Sequence, residues 1–221
     1  MRSYSAMAAL ICLLCATLSG VADDKKSDKK WICLDLQSKA TQKLKEDFHD
    51  NAFPGNNLAS LPQGEQTLEG VKFYIGEKLI QLTSTQESVA KMPEKVEGIK
   101  VDAKVAKLHI LHATGWYADD GARIGEYTVN WDDGSSATIP IEYGKDVLDW
   151  WCNANSGEPS RSKVAWKGDN EGAKTANATI RLYMTTWENP KPDIKVKSID
   201  YSTNKKTPAA PFCVAITGEE K

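Results

Sequence analysis

This sequence lacks an excess of charge of either sign: across 221 residues, 28 Lys and Arg residues balance 30 Asp and Glu residues, which gives a net charge of -2. This balance lacks the basic surface of a nucleic-acid binder, so no nucleic acid is predicted as a partner. Long apolar runs are missing as well. None reaches the roughly 18 residues of a transmembrane helix, so no membrane span is predicted.

Motifs of the common catalytic sites are also missing. The sequence contains no G-x-S-x-G, H-E-x-x-H, G-x-G-x-x-G or Walker-type run. Their absence argues against nucleophile-elbow hydrolases, zinc proteases and phosphate-cradling loops. No catalytic residue and no cofactor are predicted.

Metal ligands are sparse. His109 and His112 lie three residues apart on a predicted strand, so they point to opposite faces and cannot bind one ion together. No metal site is predicted from them. A structural calcium ion on Asp119, Asp120 and the turn 132–134 remains an alternative, because oxygen ligands on loops suit that ion.

The N-terminal segment is typical of an export signal. Residues 1–22 combine Arg2, a short apolar stretch over 7–18 and small residues that end at Ala22. A charged leader without structure is expected over residues 23–30, and a single domain over residues 31–221. The sequence therefore predicts a secreted or periplasmic protein.

Cysteines are few in the predicted mature chain: Cys33, Cys152 and Cys213. An odd number permits one disulfide at most. Cys33 and Cys213 lie in the first and last apolar segments, and terminal strands often lie side by side, so a bridge between them is one alternative. Three unpaired thiols that behave as small hydrophobic side chains are the other.

Alternating apolar residues predict about nine short strands. Two strands joined by an Asp-Gly turn are expected between Tyr127 and Tyr143. A phase shift between Val196 and Ile199 predicts a β-bulge. Helical turns are expected within 38–49 and 145–151, and a long loop over 51–66. The predicted fold is all-β, a single antiparallel β-sandwich that closes as a jelly roll.

Five segments resemble the galactose-binding-like, jelly-roll β-sandwich family: LPQGEQTLEGVKFYIG, KVEGIKVDAKVAKLHILHATGW, GEYTVNWDDGSSATIPIEYGKDVLDWW, RLYMTTWENPKPDIKVKSIDY and APFCVAITGEE. The resemblance runs from about Leu34 to Glu219. Such domains occur in secreted bacterial proteins and as non-catalytic modules of sugar-processing enzymes. The resemblance implies carbohydrate binding by analogy, and it transfers no catalytic residue.

Aromatic and polar residues adjoin one another after a predicted central strand. Sugars stack their C–H faces on Trp and Tyr, while Asp and Arg hydrogen-bond their hydroxyl groups. The predicted binding site consists of Trp116, Tyr117, Asp119, Asp120 and Arg123. The alternative is that Trp116 fills the core and the loop is merely solvated.

Two further aromatic positions bear on the site. Trp150 and Trp151 are adjacent in the chain, so one is expected in the core and the other partly exposed. Trp187 ends a predicted strand, and a position on the same rim as Trp116 is one alternative for it.

The sequence thus predicts an exported, non-catalytic protein that binds a glycan or another envelope polymer. Its oligomeric state stays open. One alternative is an envelope or extracellular structural protein that contacts other proteins. A second is a small glycan hydrolase that uses an unrecognised carboxylate pair; the candidate carboxylates are Asp119, Asp120, Glu126, Asp146 and Asp149.

Overall fold

The computed structural model describes residues 29–49 and 53–221. The predicted export signal and residues 23–28 of the predicted leader lie outside this part of the chain. Lys29 and Lys30, the end of that leader, form ion pairs with Glu219 and Glu220 at 3.1 and 3.6 Å.

The described chain is all-β with antiparallel sheets, as predicted. It contains one short helix, α1 at Glu171–Thr175, and a single 3-10 turn at Glu87–Val89. No helix in the described ranges has the length and apolar character needed to cross a bilayer. The strands are β1 Trp31–Cys33, β2 Gln42–Lys43, β3 Gly64–Leu68, β4 Val71–Ile75, β5 Lys78–Gln81, β6 Lys95–Ala103, β7 Val105–Gly115, β8 Arg123–Trp131, β9 Ser136–Glu142, β10 Trp151–Cys152, β11 Lys163–Gly168, β12 Thr179–Glu188, β13 Val196–Thr203 and β14 Ala210–Glu220.

Five of these strands were not predicted from the sequence, which indicated about nine. Three of them, β1, β2 and β10, are only two or three residues long, too short to show a period. In β6 the buried residues are Val96, Ile99 and Val101. Gly98, with a φ of 68°, sits between the first two and shifts the alternation by one residue.

The larger sheet is built around β14. One edge of β14 pairs with β7 over its whole length, while its other edge is shared by β5 at Phe212 and by β1 at Thr217. Beyond β7 lies β12, whose neighbours are β10 and β11. The smaller sheet has the order β6-β13-β8-β9, and β3 and β4 form a separate hairpin.

The two sheets contact each other through buried aromatic residues. Tyr127 on β8 and Tyr201 on β13 stack with ring centroids 4.5 Å apart, and the Tyr127 hydroxyl lies 3.3 Å from Nδ1 of His112 on β7. All three side chains are almost fully buried. This layering is consistent with the predicted β-sandwich, while its jelly-roll closure stays a prediction.

The structure confirms the predicted hairpin and the bulge. Strands β8 and β9 pair with Tyr127 opposite Ile139 and Val129 opposite Ala137, around the Asp-Gly turn. The pairing of β13 shifts its register between Val196 and Ser198, as the change of phase indicated.

Both predicted helical turns are wrong. In residues 38–49, the N–H groups of Thr41 and Leu44 donate to carbonyl groups of Leu79 and Glu77, so the segment extends a sheet edge instead. In residues 145–151, the chain makes a turn closed by Gly144 N–H to Val147 oxygen and then enters β10. The segments are helical in pattern, but long-range backbone pairing determines their conformation.

The helix α1 was missed. Asn170 caps it by accepting a hydrogen bond of 2.7 Å from the N–H of Ala173. The predicted long loop over residues 51–66 is also shorter than expected, because β3 begins at Gly64.

Cys33, Cys152 and Cys213 are unpaired, which contradicts the alternative of a Cys33–Cys213 bridge. The terminal strands do lie side by side, as that argument assumed. Their register, however, places Cys33 opposite Thr217, four residues beyond Cys213. Four strand residues span roughly 13 Å, whereas the Cα atoms of a disulfide lie within about 7 Å.

His109 and His112 point to opposite faces of β7, as predicted. Nδ1 of His109 lies 2.9 Å from the Thr186 hydroxyl, beside the ring of Trp31. Nε2 of His112 lies 2.9 Å from the Thr185 hydroxyl, between the sheets. Burial lowers the pKa of His112 to about 4, although the negative charge of Asp146 opposes the shift.

The buried imidazole of His112 is expected to make folding acid-sensitive. Because its folded pKa lies below the unfolded value of 6.5, the neutral form stabilises the fold above pH 6.5, and this stability is lost as the pH falls towards 4. Replacing His112 with Gln, which cannot be protonated here, should remove about 3 kcal/mol of that pH dependence. Urea unfolding of both proteins between pH 7.5 and 4 measures it, and parallel curves would contradict the prediction.

Candidate functional site

A cavity of about 220 Å³ opens beside the C-terminal end of β7. Its walls come from the turn after β7, from the segment that precedes and begins β10, and from the segment after β2. The lining residues are mainly aromatic, with one carboxylate and one amide: His49, Phe53, Asn56, Trp116, Asp149, Trp150 and Trp151.

Two of the wall residues have a left-handed backbone. His49 has a φ of 75° and Trp116 a φ of 59°, a region that non-glycine residues seldom adopt. Their ring centroids lie 4.4 Å apart. Gly115 makes this approach possible, because a Cβ atom there would lie 2.4 Å from Cε1 of His49. Such strain persists only where surrounding contacts enforce it, and it clusters at functional sites.

The orientation of His49 follows from its partner Gln81, which is 1% exposed. Nε2 of Gln81 donates 2.7 Å to the Leu82 carbonyl and 3.3 Å to that of Ala210, so its Oε1 is left as an acceptor. Nε2 of His49 lies 3.3 Å from this Oε1 and therefore carries a proton.

Trp150 and Trp151 behave as the sequence predicted, with Trp150 1% exposed and Trp151 partly exposed. Trp150 stacks on Phe48 with centroids 5.3 Å apart. Trp151 contacts Phe53 edge to face at 5.2 Å, and its Nε1 donates 2.9 Å to Oδ1 of Asn56. Although the two side chains diverge, both reach the cavity, Trp150 at its base and Trp151 at its side.

Asp149 supplies the negative charge of the cavity. Oδ1 accepts a hydrogen bond of 3.0 Å from the N–H of Trp151, and in the described part of the chain no side-chain cation pairs with the carboxylate. Burial raises the pKa of Asp149 to about 6, opposed by the N–H groups of Trp151 and Trp150 and by the positive charge of Arg181. The carboxyl group is thus charged at neutral pH at a cost to folding.

Arg181 lies behind this carboxylate and is 4% exposed. Its guanidinium stacks on the ring of Tyr183 at 5.2 Å, and the Tyr183 hydroxyl donates 3.1 Å to the backbone oxygen of Asp149. Within the described ranges, Arg181 makes no ion pair, and its Nε has no hydrogen-bond partner.

Of the five residues predicted from the sequence, only Trp116 lines this cavity. Tyr117 is 71% exposed and Asp119 is exposed on the loop that follows. Asp120 lies against Gly144, beside Tyr143. Arg123 begins β8 and forms an ion pair with Glu126. The loop begins next to Trp116, which lines the cavity, and its other end hydrogen-bonds through Gly121 and Ala122 to the backbone of Tyr143.

Other predicted candidates lie elsewhere. Asp146 is buried and binds Arg161 at 2.8 and 2.6 Å. Trp187 lies near Trp131 and lines a different hollow, so it does not share the rim of Trp116. At the turn predicted as a calcium alternative, Asp132 and Asp133 pair with lysines. Residues 29–49 and 53–221 contain no group of three or more His, Cys, Asp or Glu side chains arranged to hold a metal ion.

Sequence reasoning missed half of the cavity. Phe53 and Asn56 belong to the predicted long loop, where nothing in the local pattern distinguishes them. Asn56 is buried because its amide bonds to Trp151 and to Asn170, residues about 100 positions away. Asp149 was one of several candidate carboxylates, and the structure alone distinguishes it.

No protein-family model matches the chain, and no curated protein matches it significantly. The resemblance to galactose-binding-like domains therefore stays a prediction.

Replacing Asp149 with Asn should stabilise the protein. The folded pKa of about 6 lies above the usual 3.8, so the stability present below pH 3.8 is lost as the pH rises through 6. At pH 8 the variant is expected to gain at most about 3 kcal/mol, reduced by partial solvent contact, and nothing at pH 4. Urea unfolding at both pH values tests this. The exposed Asp119→Asn is the matched control, and equal stability of wild type and Asp149→Asn at pH 8 would refute the assignment.

Gly115→Ala should disrupt the wall formed by His49 and Trp116, because its methyl group would collide with the imidazole. We expect a loss of about 1 to 3 kcal/mol in the free energy of unfolding and a changed near-ultraviolet tryptophan signal. Gly157→Ala, where no heavy atom lies within 4 Å of the new Cβ, is the control. A neutral effect of Gly115→Ala would show that the ring contact is not tight.

Proposed function

We propose that this chain is a non-catalytic binding protein that holds a carbohydrate unit of a glycan or envelope polymer in the cavity of Trp116, Trp151 and Asp149. The observation that carries the proposal is the combination of aromatic walls with one carboxylate that is charged at a cost to folding. Proteins retain such costs where function requires them.

The shape and chemistry of the cavity support a sugar as ligand. Its volume of about 220 Å³ falls short of the roughly 300 Å³ where sites for drug-sized ligands begin, so it suits one ring rather than a long chain. Trp116 and Trp151 offer apolar ring surface to the C–H face of a sugar. Asp149 offers a charged acceptor, and hydrogen bonds to charged groups are stronger than those between neutral groups.

Binding without hydrolysis is favoured by the count of carboxylates. Glycoside hydrolysis usually requires two carboxyl groups about 5 to 9.5 Å apart. In the described part of the chain, Asp149 is the one carboxylate that lines the cavity. Two other candidate carboxylates form ion pairs away from the cavity lining: Asp146 with Arg161 and Glu126 with Arg123.

The loop predicted from the sequence remains part of the proposal as an outer contact region. Tyr117 follows Trp116 directly and is exposed, and Asp119 and Asp120 follow on the same loop. A polymer whose end unit occupies the cavity would pass over this loop. Arg123, which forms an ion pair with Glu126, follows this loop at the start of β8.

The predicted export signal and the predicted family resemblance also support the proposal. The segment over residues 1–22 has the composition of an export signal, and its removal would place the domain where envelope polymers occur. The predicted relation to galactose-binding-like jelly rolls agrees with the all-β architecture, although many binding functions share such folds.

Trp116→Ala should weaken binding of a recognised polysaccharide about fivefold, since an aromatic contact contributes roughly 1 kcal/mol and about 1.4 kcal/mol corresponds to tenfold. Pull-down on insoluble polysaccharides and a glycan array identify the ligand, and titration of wild type and variant measures the loss. Trp116→Phe should restore most of it.

Loop variants serve as the comparison. Tyr117→Ala and Asp120→Asn should reduce binding of a long polymer and leave that of a single sugar unit unchanged. Full retention of ligand by Trp116→Ala and Trp151→Ala, both folded by circular dichroism, would refute the cavity as the site. If the wild type releases reducing ends from a polysaccharide and Asp149→Asn does not, the protein is a hydrolase and the proposal of non-catalytic binding is wrong.

A further inference from the structure

We propose that the sugar unit held in the cavity carries a positively charged amino group, which lies between the aromatic walls and the carboxylate of Asp149. This inference rests on the proposed function and names the class of its ligand. It follows from three properties of the cavity: the number of its rings, the unpaired carboxylate and the scarcity of other polar groups.

The rings surround the space from several elements of the fold. Trp116 follows β7, Trp151 begins β10, and His49 and Phe53 belong to the segment after β2. Such enclosure by aromatic faces attracts cations, because the face of each ring carries partial negative charge. Trp151 is fixed in position by its hydrogen bond to Asn56 and its contact with Phe53.

The carboxylate lacks the partner that a buried charge normally has. In the described ranges the backbone N–H of Trp151 donates to the Asp149 carboxylate, whereas that of Trp150 donates to the Thr114 oxygen. By contrast, Asp146, three residues earlier, is clamped by Arg161. A buried ionised group without a charged partner is costly, and a ligand cation would supply that partner.

Neutral hydroxyl groups find few partners here. Among the residues that the structure describes, Asn56 is the only amide that lines the cavity. Both ends of its side chain are used: Oδ1 accepts from Trp151 and Asn170, and Nδ2 lies 3.3 Å from the Phe48 oxygen. A neutral sugar would bury several hydroxyl groups without hydrogen bonds, at a cost for each. An ammonium group on the ring avoids part of this cost, because the carboxylate and the rings both stabilise it.

The positive charge near Asp149 lies outside the lining of the cavity. Arg181 faces Asp149 from β12, yet its guanidinium stacks on Tyr183 and does not line the cavity. Tyr143 and Tyr183, which also adjoin Asp149, stay neutral because burial raises the pKa of both hydroxyl groups. His49 faces the cavity with its Nε2 proton directed to Gln81.

Binding of a cation should depend on pH through Asp149. Its pKa of about 6 means that the carboxylate is mostly charged at pH 7 and mostly protonated at pH 5. A cationic ligand binds the charged form, so its affinity should fall about tenfold between these values, with proton release on binding at pH 5. A neutral ligand should show no such loss.

The test is a tryptophan-fluorescence titration of the full chain with glucosamine, N-acetylglucosamine and glucose at pH 7. We expect glucosamine to bind at least tenfold more tightly than the two neutral sugars. The pH series from 7 to 5 uses N-trimethylated glucosamine, whose charge does not titrate. Tetramethylammonium alone, which lacks the sugar ring, should bind more weakly than the charged sugar.

Asp149→Asn distinguishes charge recognition from general loss of the site. The variant should bind glucosamine, N-acetylglucosamine and glucose with equal affinity and should lose the pH dependence. Glu97→Gln, which changes an exposed carboxylate on β6, should retain both properties.

The outcomes separate the two proposals. Equal affinity for all three sugars, or a preference that persists in Asp149→Asn, would overturn the charged-ligand inference and leave carbohydrate binding in place. Tighter binding of tetramethylammonium than of any sugar would overturn the assignment of the charge to a sugar. Absence of binding by any saccharide, polymers included, would overturn both.

Discussion

The pairing of β14 with three other strands is the constraint on which the rest of the structure depends. One edge of β14 carries β7 along eleven residues, and the other edge carries β1 and β5 end to end. Because β7 and β14 are covered on both faces, their side chains are almost all buried, His112 and Cys213 included. The position of Gly115, where β7 ends, and hence the position of the cavity, follows from this pairing.

The cavity concentrates features that oppose folding. His49 and Trp116 adopt left-handed backbone conformations, and the space at Gly115 leaves no room for a side chain. Asp149 carries a charge at a partly buried position. None of these features belongs to the contact between the two sheets, which runs through Tyr127, Tyr201 and His112. Their coincidence in one hollow distinguishes it from the hollow lined by Trp187, where the buried Asp146 pairs with Arg161.

The sequence predicts those parts of the molecule that local periodicity determines. The Tyr127–Tyr143 hairpin has strict alternation and an Asp-Gly turn, so its register could be read directly. In β6 the shift at Gly98 interrupts the alternation of buried and exposed residues, and β10 is too short to show an alternation. About half of the candidate site could be predicted from the sequence. Trp116 is recognisable because it follows a central strand, whereas Asn56 reaches the cavity only through contacts with Trp151 and Asn170. Such distant contacts leave no mark in a local pattern.

The ion pairs of Lys29 with Glu219 and of Lys30 with Glu220 have a consequence for the architecture of the chain. They join the first and last strands, so the polypeptide enters and leaves the domain at one place. A short flexible linker between residues 221 and 29 would close the backbone into a circle with little strain. New ends opened at the exposed segment around Gly157 would then leave β14 and all its neighbours intact.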